Sequence, residues 1–139
     1  MLVKEIMTHN AEVITPDDTL EQAAKKMGEL NIGPLPVCEG NRVVGILTDR
    51  DITVRATAEG CDPKTTLVSE AMSHDIISCR EDQDVSEAAA IMKEKQIRRL
   101  LVLNQADHLV GIVSLADLAT VGANESRPAD VLGKISEPH

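Results

Sequence analysis

The sequence predicts a mixed α/β (α+β) protein made of two copies of one strand–helix–strand–strand–helix (βαββα-like) unit. Three observations carry this reading. A shift of 65 residues superposes Val3, Glu5, Met7 and His9 on Val68, Glu70, Met72 and His74, and the register continues through Ala23/Ala88, Met27/Met92, Ile32/Ile97 and Leu35/Leu100. One extra residue near Asp107 then changes the offset to 66, so that Val44, Gly45, Ile46 and Asp51 match Val110, Gly111, Ile112 and Asp117. Within each copy, apolar residues at helical spacing alternate with short apolar runs bounded by Gly, Pro, Asn and Asp.

In the first copy, residues 11–15 read as a short extended stretch, and Pro16-Asp17-Asp18 as a turn and helix cap. Leu20, Ala23, Ala24, Met27 and Leu30 give the following helix one apolar face. Asn31-Ile32-Gly33-Pro34 ends it. Residues 35–38 and 43–47 then read as strands around a Glu39-Gly40-Asn41 turn, and residues 49–58 as a second helix. In the second copy, 76–79, 100–103 and 109–113 read as strands, and 85–95 and 115–121 as helices, with Val85, Ala88, Ala89 and Met92 facing inward. A helical crossover implies a parallel strand pair, and the tight turn an antiparallel neighbour. Each half is thus expected to be a small mixed three-stranded sheet with two helices on one face. The expected domains are residues 1–64, ending in a linker over 58–66, and residues 65–122. A polar tail follows over 123–139, with Val131, Leu132 and Ile135 as a candidate docking turn.

A unit of about 60 residues buries little core alone, so the halves are expected to need each other. The net charge is −9, and the chain has no Phe, Tyr or Trp. Neither phosphate neutralisation by clustered cations nor base stacking on aromatic rings is available, which argues against nucleic acid as partner. No apolar run reaches membrane-spanning length and no signal-peptide pattern opens the chain, so the expected location is cytoplasmic, without membrane association. Cys38, Cys61 and Cys79 are odd in number and lack CxxC spacing, and read as reduced thiols.

The duplicated Gly45-Ile46-Leu47-Thr48-Asp49-Arg50-Asp51 and Gly111-Ile112-Val113-Ser114-Leu115-Ala116-Asp117 carry the most chemistry. Each ends a strand, supplies a hydroxyl at a helix start, and puts a carboxylate three residues later. That spacing is a capping box, a common helix start that needs no ligand. The same geometry also presents backbone N–H groups and a positive dipole end to an anion.

The Val-x-Glu-h-Met opening, the Ala-Ala-x-x-Met helix, the Ile-x-x-Leu-x-Val strand and Gly-h-h-[Thr/Ser]-x-x-Asp, each present twice and in order over about residues 2–122, resemble the tandem cystathionine-β-synthase (CBS) domain pair, or Bateman module. The Thr48-Asp49-Arg50-Asp51-Ile52 version is most similar to small stand-alone bacterial two-CBS proteins of the hypoxic-response type. The resemblance implies halves related by a pseudo-two-fold axis, a ligand cleft on each side of their interface, and a homodimer. It also implies AMP, ADP or ATP as regulatory ligands, with Mg2+ allowed for, and an unidentified regulated protein.

By resemblance, Thr48, Asp51, Ser114 and Asp117 bind phosphate and ribose, and Arg98-Arg99 match a basic pair that contacts phosphate. Arg50 and Arg55 are the cations of the first half. Adenine recognition maps onto Thr8, Val13, Gly33 and Pro34 in one half, and onto Ser73, Ile77 and Ile97 in the other. Half one has Gly33-Pro34 where half two has Arg98-Arg99, and half two has Leu115-Ala116 where half one has Asp49-Arg50. Two unequal sites are expected, with Asp51 favoured. No activated nucleophile or acid/base pair stands out, so no enzymatic activity is expected. The alternatives are a ligand-free dimerisation module and a metal-responsive sensor using His9 and His74, the matched residues of Met-[Thr/Ser]-His.

Overall fold

The computed structural model describes residues 1–122. The expectation for the tail beyond them lies outside the described residues. The described chain is mixed α/β, and it forms two compact units that cross the repeat boundary. One unit joins Met1–Ala11 to the described chain from Ile77 to Gly122, and the other is Glu12–Ile76. The division expected at residues 64 and 65 follows the repeat. The observed one does not, because the opening segment of each copy packs against the sheet of the other.

In the first unit, a 3-10 turn at Val3–Glu5 is fixed where Val3 N–H donates to Gln83 O at 2.9 Å and Lys4 N–H to Glu81 O at 3.0 Å. Strand β1 (Thr8–His9) then pairs antiparallel with β6 (Leu109–Ser114). Strand β5 (Arg99–Leu103) is antiparallel to β6 and parallel to β4 (Ser78–Arg80). The sheet order is β1-β6-β5-β4, four strands where the sequence suggests three. Helix α4 (Val85–Lys95) crosses between β4 and β5, with Asp84 as N-cap. Helix α5 (Leu115–Gly122) follows β6 directly. Val3, Cys79, Ala88, Met92, Leu100, Val102, Val113 and Leu118 form the core, each at most 3% exposed.

The second unit repeats the plan with shorter pairings. Strands β2 (Leu35–Glu39) and β3 (Arg42–Leu47) form an antiparallel hairpin. The expected strand over 11–15 reduces to a single parallel bridge from Ile14 to Val37, and Ser73 bridges Ile46 on the far side. Helix α1 (Leu20–Leu30) is capped by Thr19, whose Oγ1 accepts the Gln22 N–H at 3.2 Å. Asp18, in the Pro16-Asp17-Asp18 segment expected to give both turn and cap, accepts the Thr15 N–H and closes the turn. Leu20, Ala23 and Met27 are buried, but Ala24 and Leu30 are exposed, so the apolar face is narrower than the periodicity suggests.

The helix expected over 49–58 starts as one α turn, α2 (Asp49–Asp51), and continues as a π-helical turn over Ile52–Thr57. A short helix, α3 (Val68–Ala71), is absent from the sequence reading. It lowers Val68, Ala71 and Met72 into this unit's core, and the Val68 N–H donates to Asp18 O at 2.8 Å.

Cys38 and Cys79 are buried and Cys61 is exposed. Burial pushes both buried thiols up, Cys79 to about 11. Since the thiolate is the reactive form, a thiol reagent at pH 8 is expected to label Cys61 alone in the folded protein. All three cysteines should label after denaturation. Rapid labelling of a second cysteine in the folded protein would contradict this burial.

Candidate ligand-binding sites

Both strand-to-helix turns form the capping box that their spacing predicts. The Thr48 N–H donates to Asp51 Oδ2 at 2.9 Å, and the Asp51 N–H returns to Thr48 Oγ1 at 3.1 Å. The Ser114 N–H donates to Asp117 Oδ2 at 2.8 Å, and the Asp117 N–H to Ser114 Oγ at 3.1 Å. The capping box is therefore realised in both copies. One oxygen of each carboxylate is spent on the cap, and a ligand would have to use the other.

The surroundings of that second oxygen differ. Asp51 Oδ1 lies 3.8 Å from Arg55 Nε, and Arg55 Nη1 donates to Met72 O at 3.3 Å. Among the described residues no cation comes within 4 Å of Asp117, and Val121 stands where Arg55 would be matched. The Arg55 guanidinium, half exposed, gives a weak ion pair of well under 1 kcal/mol, but it partly occupies the oxygen a ribose would need.

In the first unit the candidates converge on one turn. Thr8 on β1 is the register partner of Ile112, and Arg99 on β5 is the partner of Ser114 itself. Residues directly opposite in an antiparallel pair project to the same face, so Arg99 shares a face with the capping hydroxyl. The Leu115 N–H donates to Arg98 O at 2.8 Å, tying the arginine pair to the helix start. Arg98 and Arg99 are exposed, and their guanidinium groups make no hydrogen bond or ion pair among the described residues. Ile77 and Ile97 are partly buried against this unit's core.

In the second unit, Ser73 replaces Thr8. Its N–H donates to Ile46 O at 2.8 Å, and its carbonyl accepts the Ile46 N–H at 2.9 Å. Thr8 and Ser73 thus change places relative to the sequence grouping: Thr8 lies with Ser114 and Asp117, and Ser73 with Thr48 and Asp51. The physical reason is the exchange of opening segments, which the 65-residue register cannot reveal because it is silent on which sheet each opening joins. Gly33 lies against Asp49, whose Oδ1 would be 3.1 Å from an added Cβ. Pro34 is exposed. The Val13 carbonyl accepts from Lys26 Nζ at 2.8 Å. Arg50 is exposed, and its N–H donates to Asp49 Oδ1 at 3.0 Å.

The close approach of β1 to β6 depends on a glycine. A Cβ on Gly111 would lie 2.6 Å from Thr8 O and 2.8 Å from Met7 Sδ. Its match, Gly45, would place a Cβ 2.7 Å from Met72 Sδ and 2.9 Å from Ser73 O. Sequence reading placed these glycines only as strand ends; their role as seats for the opening segments shows in the three-dimensional arrangement.

His9 and His74 are exposed, one in each unit. Among the described residues, no group of three or more His, Cys, Asp and Glu side chains gathers to hold a metal ion. No helix among them is long and apolar enough to cross a membrane.

A small mixed sheet flowing into a hydroxyl-capped helix with an acidic third residue, present in two copies, defines a paired α/β module. The chain belongs to the CBS-domain family, whose model matches residues 3–56 and 68–124. The CBS domain-containing protein YhcV of Bacillus subtilis is 40% identical over 134 residues, covering 96% of this chain and 94% of that protein. The crystal structure of hypoxic response protein I with two coordinated zinc ions is similar with a TM-score of 0.77 and 35% identity, over 87% of this chain and 98% of that one. The CBS domain pair of MJ0100, in complex with 5′-methylthioadenosine and S-adenosyl-L-methionine, gives a TM-score of 0.71 and 29% identity over 87% of this chain and 98% of its own. The resemblance to the tandem pair, and to its hypoxic-response type, thus holds.

Proposed function

We propose that the chain is a non-enzymatic regulatory module that binds an adenosine nucleotide, AMP, ADP or ATP, and reports its occupancy to a partner protein. It does so as a cytoplasmic homodimer, with Mg2+ accompanying the polyphosphate forms. One observation carries the reading: Thr8, Arg99, Ser114 and Asp117 gather on one strand-to-helix turn of the first unit. There the Asp117 Oδ1 acceptor suits a ribose hydroxyl, and Arg98 and Arg99 supply local positive charge for an anion in a chain of net charge −9. The adenosine ligands of the MJ0100 pair support the same class. A ligand of this kind acts by binding one arrangement of the module more tightly than another, and only to the extent of that difference.

With no Phe, Tyr or Trp, the purified protein should absorb almost nothing near 280 nm, so a 260 nm band reports bound nucleotide once nucleic acid is removed. Calorimetry of stripped protein is expected to show binding of at least one of AMP, ADP and ATP. Absence of heat with these, NAD and S-adenosylmethionine would instead leave a ligand-free dimerisation module.

A further inference from the structure

We propose that Lys93, Lys95, Arg98 and Arg99 form a docking strip for an acidic segment of the partner protein, and that a nucleotide phosphate on Arg98 and Arg99 displaces that segment. The displacement rests on the proposed adenosine reading; the strip does not.

The two copies of the repeat supply the argument. Residues 93–99, Lys-Glu-Lys-Gln-Ile-Arg-Arg, carry a net charge of +3, and the matched residues 28–34, Gly-Glu-Leu-Asn-Ile-Gly-Pro, carry −1. Basic side chains in the last turn of a helix have an ordinary structural use, since they oppose the negative end of its dipole. Helix α1 shows that this use is dispensable here. It matches α4 in its length of 11 residues and ends in the same left-handed cap, Asn31 at φ 54° and ψ 46° against Gln96 at φ 55° and ψ 45°, with no basic residue in its last turn.

The four cations are also unspent. All are exposed, and none makes an ion pair among the described residues. The lysines of α1 do: Lys25 lies 3.7 Å from Glu21, and Lys26 lies 3.3 Å from Glu12. One turn before Lys93 and Lys95 stand Ala89 and Ile91, which offer no carboxylate. The four cations share one end of the first unit, because α4 is joined to β5 by Gln96, Ile97 and Arg98 alone. Residues two apart on a helix do not face each other. Lys93 and Lys95 therefore fit an extended chain crossing the helix end better than a single small anion.

The chemistry of the partner follows from charge. Since the whole chain carries −9, the residues outside 93–99 carry −12. A long polyanion such as nucleic acid is repelled beyond the strip, and no aromatic ring is present to hold its bases. A short run of Asp and Glu on a protein meets the four cations without that cost. A phosphate at Arg98 and Arg99 would neutralise half of the strip, so nucleotide and acidic segment weaken each other by the same factor. Docking that needs all four cations thereby reads out phosphate occupancy.

Anisotropy of a fluorescein-labelled octaglutamate peptide on the full chain tests both parts. Binding is expected at low ionic strength and should fall as NaCl is raised. Lys93→Gln with Lys95→Gln should weaken it at least about tenfold, while AMP affinity, read by calorimetry, stays within about threefold. Arg42→Gln with Lys64→Gln removes the same charge from exposed positions of the second unit and should leave peptide affinity within about threefold. Circular dichroism checks that both double variants fold. AMP should release the peptide, and adenosine, which lacks the phosphate, should not.

No peptide binding at low salt, or equal loss in the two double variants, would overturn the strip and leave the adenosine reading intact. Tighter binding of a single-stranded oligonucleotide of the same charge would overturn an acidic protein as the occupant. AMP that binds by calorimetry without moving the peptide would overturn the displacement. A peptide held by the strip, with no heat from AMP, ADP or ATP, would remove the adenosine reading and leave the strip standing.

Discussion

Gly111→Ala is expected to destabilise the protein by about 2 kcal/mol or more, whereas Gly28→Ala is expected to stabilise it by about 0.5–1 kcal/mol. The chemical change is the same, and only the surroundings differ. At Gly111 the new methyl would sit 2.6 Å from the Thr8 carbonyl oxygen, a backbone atom that cannot swing aside. The opening strand must move off β6, losing its ladder and lifting Val3 and Met7 from the core they help to close. At Gly28, inside α1, nothing lies within 4 Å, and alanine simply restricts the unfolded chain and favours the helix. Gly45→Ala should match Gly111→Ala, because its methyl meets Met72 and the Ser73 carbonyl. Urea titration followed by far-ultraviolet circular dichroism checks all three, the chain having no aromatic fluorophore. Stability unchanged in Gly111→Ala would mean that the opening segment is not held where the structure places it.

Substitution of Asp117 is expected to separate two roles that its geometry combines. Asp117→Ala removes the acceptor for the Ser114 N–H and should cost about 1 kcal/mol of stability. Asp117→Asn keeps a carbonyl oxygen in that place and should recover most of it. Ligand binding should fall in both, since a hydrogen bond to a charged acceptor contributes about 1.5–3 kcal/mol, or roughly ten- to a hundred-fold in affinity. Melting curves and calorimetry on the same samples read the two quantities separately. If Asp117→Asn retained both full stability and full affinity, the carboxylate would be a cap and nothing more.

Most of the elements were legible because their signals are local. Helix α4 falls on the predicted residues, and strands β2 to β6 agree to within about two residues, since turn residues such as Gly40 and the Asn104–His108 loop punctuate short apolar runs. The capping boxes were legible for the same reason, a fixed spacing of three. What escaped was non-local. The four-stranded sheet and the exchange of Thr8 and Ser73 depend on which sheet an opening segment joins, and a repeat register says nothing of that choice. The π-helical turn after Asp51 also escaped, because its apolar spacing imitates an ordinary helix. Asp49 was visible as a residue but not as a charge resting on Gly33, which needs two loops brought together.

The exchanged opening segments bear on how such a chain could arise. One copy standing alone would have a hairpin and a crossover helix, yet with its opening arm placed as it is here, on the other copy's sheet, the edge beside β6 or β3 would be bare. A single-copy ancestor with these pairings would have to lend its arm to a second chain and borrow one back. Fusing two copies end to end turns that intermolecular loan into an intramolecular one, with no new pairing to invent. It also means that cutting the chain at the repeat boundary would not yield two small proteins. It would yield two fragments, each missing the strand carried by the other.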